Sequence, residues 1–282
     1  MTKVIGCIDG STSTDAVIEA STWASTQLNA PLMLLHVLDH SKYPIKADYS
    51  GNMTLGGREA LLAEMADLDA KRNRLALQEG KMMLDAAAQQ VMALNGPEPL
   101  LRQRHGDLLE SLEALQDDTR LLVIGKSGAD HPAGGAQIGD NVERVIRAMH
   151  RPILIVPGAF AAPTQVMLAY DGSDTARKGV NTLAASPLMA EVPCHLVSVS
   201  NSNLVLEDMN VAAETLRASG REVNVVQLDG DVEPALHQYQ QDNGIDLVVM
   251  GAYGHSRIRE FFIGSTTTKM IREARVPHLL LR

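Results

Sequence analysis

Short apolar runs alternate with helix-forming stretches along the second half of the chain. The runs cover residues 165–170, 195–200, 223–228, 247–250 and 278–281. Between them, helices are predicted to begin at Ser173-Asp174, at Asp231-x-x-Pro234 and at Ser265. This alternation is typical of a parallel sheet covered by helices on both faces, so the predicted fold class is α/β, doubly wound.

The first half repeats the pattern of the second. VIGCIDGS at residues 4–11 returns as VMLAYDGS at residues 166–173, which places Asp171 162 positions after Asp9. The offset falls to 126 between the later landmarks Gly125 and Gly251. We therefore predict two copies of one domain, at residues 1–157 and 163–282, joined by a short proline-bounded linker.

The fall in the offset indicates a long insertion in the first copy, at about residues 43–95. Residues 58–94 are rich in Ala, Leu, Met, Glu, Lys and Gln, which are strong helix formers, and Gly80 is the only glycine among them. We expect either one helix much longer than the average of roughly 11 to 12 residues or two helices in succession. No residue pattern in this segment indicates a catalytic or binding function.

Composition and charge narrow the functional classes. The 282 residues are 45% hydrophobic, carry a net charge of −9 and include two cysteines, Cys7 and Cys194, each in an apolar run. An acidic chain has no global basic surface for nucleic acid, and two such thiols make no disulfide framework. No run approaches the roughly 18 apolar residues of a membrane span. We expect a cytoplasmic protein without membrane or nucleic-acid partners.

One loop in the second copy carries the clearest chemical signal. The apolar run at 247–250 ends at Gly251, Gly254 follows, and Gly264 precedes four hydroxyl residues, 265–268, at a predicted helix start. Hydroxyl groups and the free N–H groups of a first helical turn can bind an anion, so this pattern predicts a phosphate site. The alternative is a glycine-rich turn and a capped helix without a ligand.

The spacing Gly-x-x-Gly, nine residues, Gly-Ser resembles the nucleotide-binding motif of the universal stress protein family. Together with the repeated strand-Asp-Gly-Ser segments, the resemblance covers nearly the whole chain, in tandem form. It implies a five-stranded parallel sheet in the order 3-2-1-4-5 in each copy, an architecture like that of adenine nucleotide alpha hydrolases. Ligands of such sheets bind at the carboxyl ends of strands 1 and 4. The family's last strand pairs across a dimer, which implies a pseudo-dimer within this chain.

The resemblance also assigns a nucleotide site to the second copy, for ATP or another adenine nucleotide, with Mg²⁺ as an accompanying ion. Asp171 would lie beside the nucleoside, although a strand-end aspartate could equally be a helix cap. Val199 would offer backbone groups to adenine. The complete set of expected contacts is Asp171, Gly172, Ser173, Val199, Gly251, Gly254, His255, Gly264, Ser265 and Thr266. His255 and Arg257 would add positive charge to the site, or remain solvated loop residues.

The corresponding site of the first copy is altered. Its residues are Asp9, Gly125, Gly128, Gly139 and Asp140. Asp140 stands where the second copy has Ser265, and a carboxylate there would repel a phosphate by about 4 kcal/mol per charge pair at about 4 Å and an effective dielectric of about 20. We expect this site to be degenerate, empty or weak. The alternative is that Lys126 offsets Asp140 and a ligand still binds.

Three functions remain open on the sequence alone. The preferred one is a regulatory, stress-related protein that binds an adenine nucleotide in its second domain and hydrolyses it slowly or not at all, because the site offers no evident general base. No catalytic residue and no metal site are predicted. The other two are a nucleotide-activating enzyme and a nucleotide-free interaction protein. We also expect that the protein can form a homodimer and that it has a protein partner, which the sequence does not identify.

Overall fold

In the computed structural model of the protein, the described residues contain ten strands that form a single sheet. The structure describes residues 1–38, 55–128, 138–251 and 265–282, and of these the side chains of all but 55–62 and 265. The strands are β1 (Lys3–Cys7), β2 (Leu32–Leu38), β3 (Leu100–His105), β4 (Thr119–Gly125), β5 (Ile153–Val156), β6 (Val166–Ala169), β7 (Cys194–Val199), β8 (Val223–Leu228), β9 (Leu247–Gly251) and β10 (His278–Leu281). The helices are α1 (Thr14–Leu28), α2 (Leu55–Ala93), α3 (Leu108–Glu113), α4 (Asp140–Ala148), α5 (Asp174–Ala184), α6 (Asn203–Ala218), α7 (Val232–Asp242) and α8 (Ser265–Arg272).

The strand order is β3-β2-β1-β4-β5-β10-β9-β6-β7-β8. The first five strands therefore follow the predicted order 3-2-1-4-5, and the second five follow the same order reversed along the sheet. Within each half the paired strands run parallel. The predicted α/β class and strand order are confirmed.

The two halves meet at one antiparallel pair of strands. In β5 and β10, Ile155 pairs with His278 and Leu154 pairs with Leu279. Both strands are buried along their whole length. An unpaired apolar edge strand is an aggregation hazard, and this pairing removes one such edge from each half. The pseudo-dimer expected within one chain is the arrangement found.

Two apolar layers cover the two faces of the sheet. Successive strand residues point to opposite faces, so Val4 and Leu121 pack in one layer while Ile5 and Leu122 pack in the other. Both layers contain residues of both halves. Inner strands such as β5 and β9 read as continuous apolar runs because both of their faces are covered.

The part of the insertion that the structure describes, from residue 55 on, contains one helix, α2, of 39 residues. It packs on β2, β3 and α1, with Leu84, Ala87 and Val91 buried against the sheet. The choice between one helix and two is thus decided in favour of one. Among the residues that the structure describes, neither α2 nor any other helix combines the length and apolarity of a membrane span.

Candidate functional site

A crevice of about 420 Å³ opens at the carboxyl ends of β6 and β9. These two strands are the neighbours at which the strand order of the second half reverses, the place where ligands bind in sheets of this type. The lining includes the predicted residues Asp171, Ser173, Val199, Gly251 and Thr266. It also includes residues that were not predicted, namely Ala169, Tyr170, Thr175, Ala176, Val197, Ser198, Ser200, Val205, Val232, Leu236, Met250 and Thr267.

The turn after β6 shapes the floor of this crevice. The backbone N–H of Ser173 donates to Asp171 Oδ1 at 2.9 Å, and Gly172 between them has φ +73°, a conformation that favours glycine. Ser173 itself is the N-cap of α5, because its Oγ accepts from the Ala176 N–H at 3.1 Å. Asp171 therefore holds the turn rather than capping the helix, and its carboxylate lies on the crevice wall.

Gly251 allows β9 and α5 to approach each other closely. A Cβ atom at this position would lie 3.1 Å from Thr175 Cγ2, which is tighter than an ordinary van der Waals contact. On the opposite side, β7 ends at Val199, and Ser198 before it is buried. The predicted contacts Asp171 and Val199, at strand ends, thus line the same cavity as Gly251.

Helix α8 begins at Ser265, as predicted, and brings Thr266 and Thr267 to the crevice. The Thr266 hydroxyl donates to the carboxylate of Glu233 on α7, and Lys269 Nζ lies 3.3 Å from Glu233 Oε1. Hydrogen bonds from its own backbone N–H, from Lys269 and from Thr266 lower the pKa of Glu233. The carboxylate beside the start of α8 is therefore ionised, and Lys269 balances its charge.

A cluster that holds Tyr170, a residue of the crevice wall, was not predicted. Tyr170 is buried at the end of β6 and its hydroxyl donates to Asp208 of α6. Arg177 Nε donates to Asp208 Oδ1 at 3.1 Å. Burial and the bond to Asp208 raise the pKa of Tyr170. One sequence signal could have indicated this cluster. At the end of the repeated strand, the second copy has the phenol of Tyr170 where the first copy has the apolar Ile8.

Several of the predicted nucleotide contacts lie in a part of the chain that the structure does not describe. Gly254, His255, Arg257 and Gly264 lie outside the described residues. Their roles stay predictions.

The first half contains an equivalent, smaller cavity of about 280 Å³ at the carboxyl ends of β1 and β4. Its lining gathers all the predicted residues of this site, Asp9, Gly125, Gly128, Gly139 and Asp140. The Ser11 N–H donates to Asp9 Oδ1 at 3.0 Å, which repeats the turn formed by Asp171. A Cβ atom on Gly125 would lie 2.8 Å from Ser13 Cβ, so this glycine too permits a close approach of strand and helix.

Lys126 follows the first-half strand β4 but is directed towards the second half. Its side chain is buried, and Nζ donates to the carbonyl of Ala274, beyond the end of α8, at 3.2 Å. Burial lowers the pKa of Lys126. This contact opposes the alternative in which Lys126 offsets the charge of Asp140.

Comparison with known proteins places the chain in a family. Residues 1–157 and 200–282 match the model of the universal stress protein family. The chain belongs to this family. The universal stress protein Slr1230 of Synechocystis sp. is 34% identical over 288 positions that span all of both chains.

Two solved structures share the tandem fold. A universal stress protein of Archaeoglobus fulgidus matches with a TM-score of 0.72 at 18% identity, over 99% of this chain and 98% of that one. The Pseudomonas aeruginosa protein PA1789, described as functionally unknown, matches with a TM-score of 0.62 at 14% identity, over 100% of this chain and 92% of that one. At these identities the likeness concerns the fold alone.

Proposed function

We propose that this universal stress protein binds ATP or another adenine nucleotide in the crevice of its second half and acts in a regulatory, stress-response role. One observation carries the proposal. A single cavity of about 420 Å³ at the reversal of the strand order joins the Asp171 turn, Gly251 and the start of α8. Cavities of roughly 300 to 1,000 Å³ are the usual size for small-molecule sites.

The parts of the crevice suit different parts of a nucleotide. Apolar side chains, among them Val199, Leu236 and Met250, offer surface for a base. The Asp171 carboxylate can accept hydrogen bonds from ribose hydroxyl groups. The first turn of α8 presents backbone N–H groups that have no intrahelical acceptor, and such groups bind phosphate.

The same residues favour binding over hydrolysis. A general base must be free to take a proton near the operating pH. Tyr170, which lines the crevice, has a raised pKa and already donates its proton to Asp208, so it is not a base. We therefore expect slow hydrolysis at most.

Magnesium would enter this site with the phosphates. No group of three or more His, Cys, Asp or Glu side chains within the described part of the chain is arranged to hold a metal ion. Mg²⁺ commonly binds through substrate phosphates, waters and only one or two carboxylates, so an adenine nucleotide could carry its own ion into the crevice.

Exchange of one residue between the two halves tests the proposal. Ser265→Asp gives the second site the carboxylate that the first has at Asp140. Because the repulsion is about 4 kcal/mol, this substitution should weaken ATP binding about a thousandfold. Asn210→Asp, at an exposed position of α6, makes the same change in net charge and is the control.

The measurement is mass spectrometry of small molecules released on denaturation, with equilibrium dialysis against added ATP. About one equivalent of adenine nucleotide per chain is expected in the wild type and in Asn210→Asp, and none in Ser265→Asp. A Ser265→Asp variant that keeps its nucleotide would place the ligand elsewhere. If the wild type neither carries nor takes up a nucleotide, the nucleotide-free interaction protein becomes the better account.

A further inference from the structure

The first part of α2 is little covered by the rest of the protein. Among the residues of α2 whose side chains the structure describes, those at 63–79 are all exposed or half-buried, and the first buried residue is Gly80. Leu84, Ala87 and Val91, further along the helix, pack on the sheet. At about 1.5 Å per residue, the exposed stretch of 17 residues is about 25 Å long. A helix of roughly this length without tertiary contacts is marginally stable in water, so a packing partner would stabilise it.

Three large apolar side chains follow one another at a heptad interval along α2. Leu68, Leu75 and Met82 lie seven positions apart and are 49%, 63% and 72% exposed. Positions seven apart lie on almost the same face of a helix, so the three side chains form one stripe. At about 100° per residue, the buried Leu84 and Val91 lie about 160° to 180° around the helix from Leu75. The stripe therefore faces away from the sheet, and its spacing is typical of a seam between paired helices.

Charged side chains border the stripe and distinguish between two ways of pairing α2 with a second copy of itself. Lys71 lies on one border and Arg72 and Glu79 lie on the other, and all three are exposed. In a parallel pair, opposite borders face each other, so Lys71 would meet Arg72 of the second copy, and like charges repel.

An antiparallel pair brings opposite charges together instead. When the pair is centred on Leu75, each border faces the same border of the second copy, and Arg72 meets Glu79 at two symmetric places. Leu75 then packs on Leu75 of the second copy, and Leu68 packs on Met82 of the second copy. Charge complementarity thus favours a second copy of the chain, in antiparallel orientation, as the partner of this face.

We propose that α2 is the interaction surface for a second copy of this chain and that the two helices pair antiparallel through Leu68, Leu75 and Met82. This surface is distinct from the pairing of β5 with β10, which joins the two halves within one chain. None of the described residues of α2 lines either cavity, so the inference does not depend on the proposed function. It gives the homodimer expected from the sequence a specific interface.

Sedimentation velocity of the full chain tests the stripe. Even at the weak, micromolar end of the range for protein interfaces, a solution at about 100 µM should be dimeric. Leu75→Glu places two carboxylates at the centre of the seam and should weaken the dimer at least about 30-fold. Leu77→Glu is the matched control, because it makes the same change in the same helix at a side chain that is 40% exposed and off the stripe. It should leave the dimer unchanged.

Reversal of charge tests the orientation. Arg72→Glu and Glu79→Arg should each weaken the dimer about 3- to 10-fold, and the double variant, which exchanges the two charges, should restore it. In a parallel pair, Arg72→Glu would instead strengthen the dimer, because it would replace the repulsion from Lys71 by attraction. Cooperative urea unfolding of each variant shows whether the sheet is still folded.

The remaining outcomes overturn the inference. A wild type that stays monomeric at about 100 µM has no such interface. A dimer that Leu75→Glu leaves intact, or that Leu77→Glu weakens equally, is formed by another surface. A dimer that Arg72→Glu strengthens contradicts the antiparallel arrangement.

Discussion

At the scale of residues, the hydroxyl group of Tyr170, a residue of the crevice wall, is held by the carboxylate of Asp208 on α6. Hydrogen bonds from Tyr170 and Arg177 outweigh the desolvation of Asp208 and lower the pKa of that carboxyl group. The three side chains join the turn after β6 to α5 and α6. They therefore fix the crevice wall from three elements at once.

Removal of the phenol hydroxyl tests this connection. In Tyr170→Phe, Asp208 loses one charge-assisted hydrogen bond, so the free energy of unfolding should fall by about 1 to 2 kcal/mol. Urea unfolding at neutral pH measures the change. Tyr239→Phe removes a hydroxyl bonded to the neutral ring of His195, at 2.7 Å, and should cost less. Equal losses in the two variants would show that the charge of Asp208 adds nothing.

At the scale of elements, the helix starts that form the site could be read from local patterns. Ser173, Asp231 and Ser265 mark the starts of α5, α7 and α8 as predicted. Capping depends on a few neighbouring residues, so this signal survives without tertiary information. The strand runs were found for a similar reason, because strands buried on both faces read as continuous apolar segments.

The cap of α5 can be measured against a matched helix. Ser173 accepts the Ala176 N–H, whereas Ser202, the N-cap of α6, makes no side-chain cap bond with any described residue. We expect Ser173→Ala to lower the free energy of unfolding by about 1 kcal/mol, and Ser202→Ala to lower it by only a few tenths. Thermal or urea unfolding of both variants gives the comparison. A loss in Ser202→Ala as large as in Ser173→Ala would contradict the assigned cap.

At the scale of the whole molecule, the junction of the two halves contains a buried histidine. His278 lies on β10 opposite Ile155, and its Nδ1 donates to the carbonyl of Val276 at 2.8 Å. Burial lowers the pKa of His278 to about 4, and the nearby positive charges of His237 and Lys126 act in the same direction. The folded junction therefore excludes the protonated imidazole.

This exclusion makes stability depend on pH. The unfolded chain binds a proton at His278 near pH 6.5 and the folded chain only near pH 4, so stability is full above about 6.5 and falls as pH decreases towards 4. At about pH 5 the loss should be about 2 kcal/mol. In His278→Gln the difference between urea unfolding at about pH 7.5 and at about pH 5 should shrink by that amount. An unchanged difference would assign the pH dependence to other groups.

The sequence by itself determined the two copies, the strand and helix pattern and, through the family resemblance, the strand order. It also picked out some of the residues that line the two cavities, among them Asp171 and Gly251 in the second half and Asp9 and Gly125 in the first. These features follow from apolar periodicity, from capping chemistry and from the repetition of one pattern, all of which are local properties of the chain.

Only the tertiary structure decided the remaining features. Tyr170 and Asp208 are 38 positions apart and Lys126 and Ala274 are 148 apart, and no local pattern reports which of them meet. The sequence also does not show that the Thr14 hydroxyl lacks a hydrogen-bond partner among the described residues, because a threonine near a helix start usually forms such a bond. Side-chain partners depend on how packed elements approach each other, and that is set by the whole core.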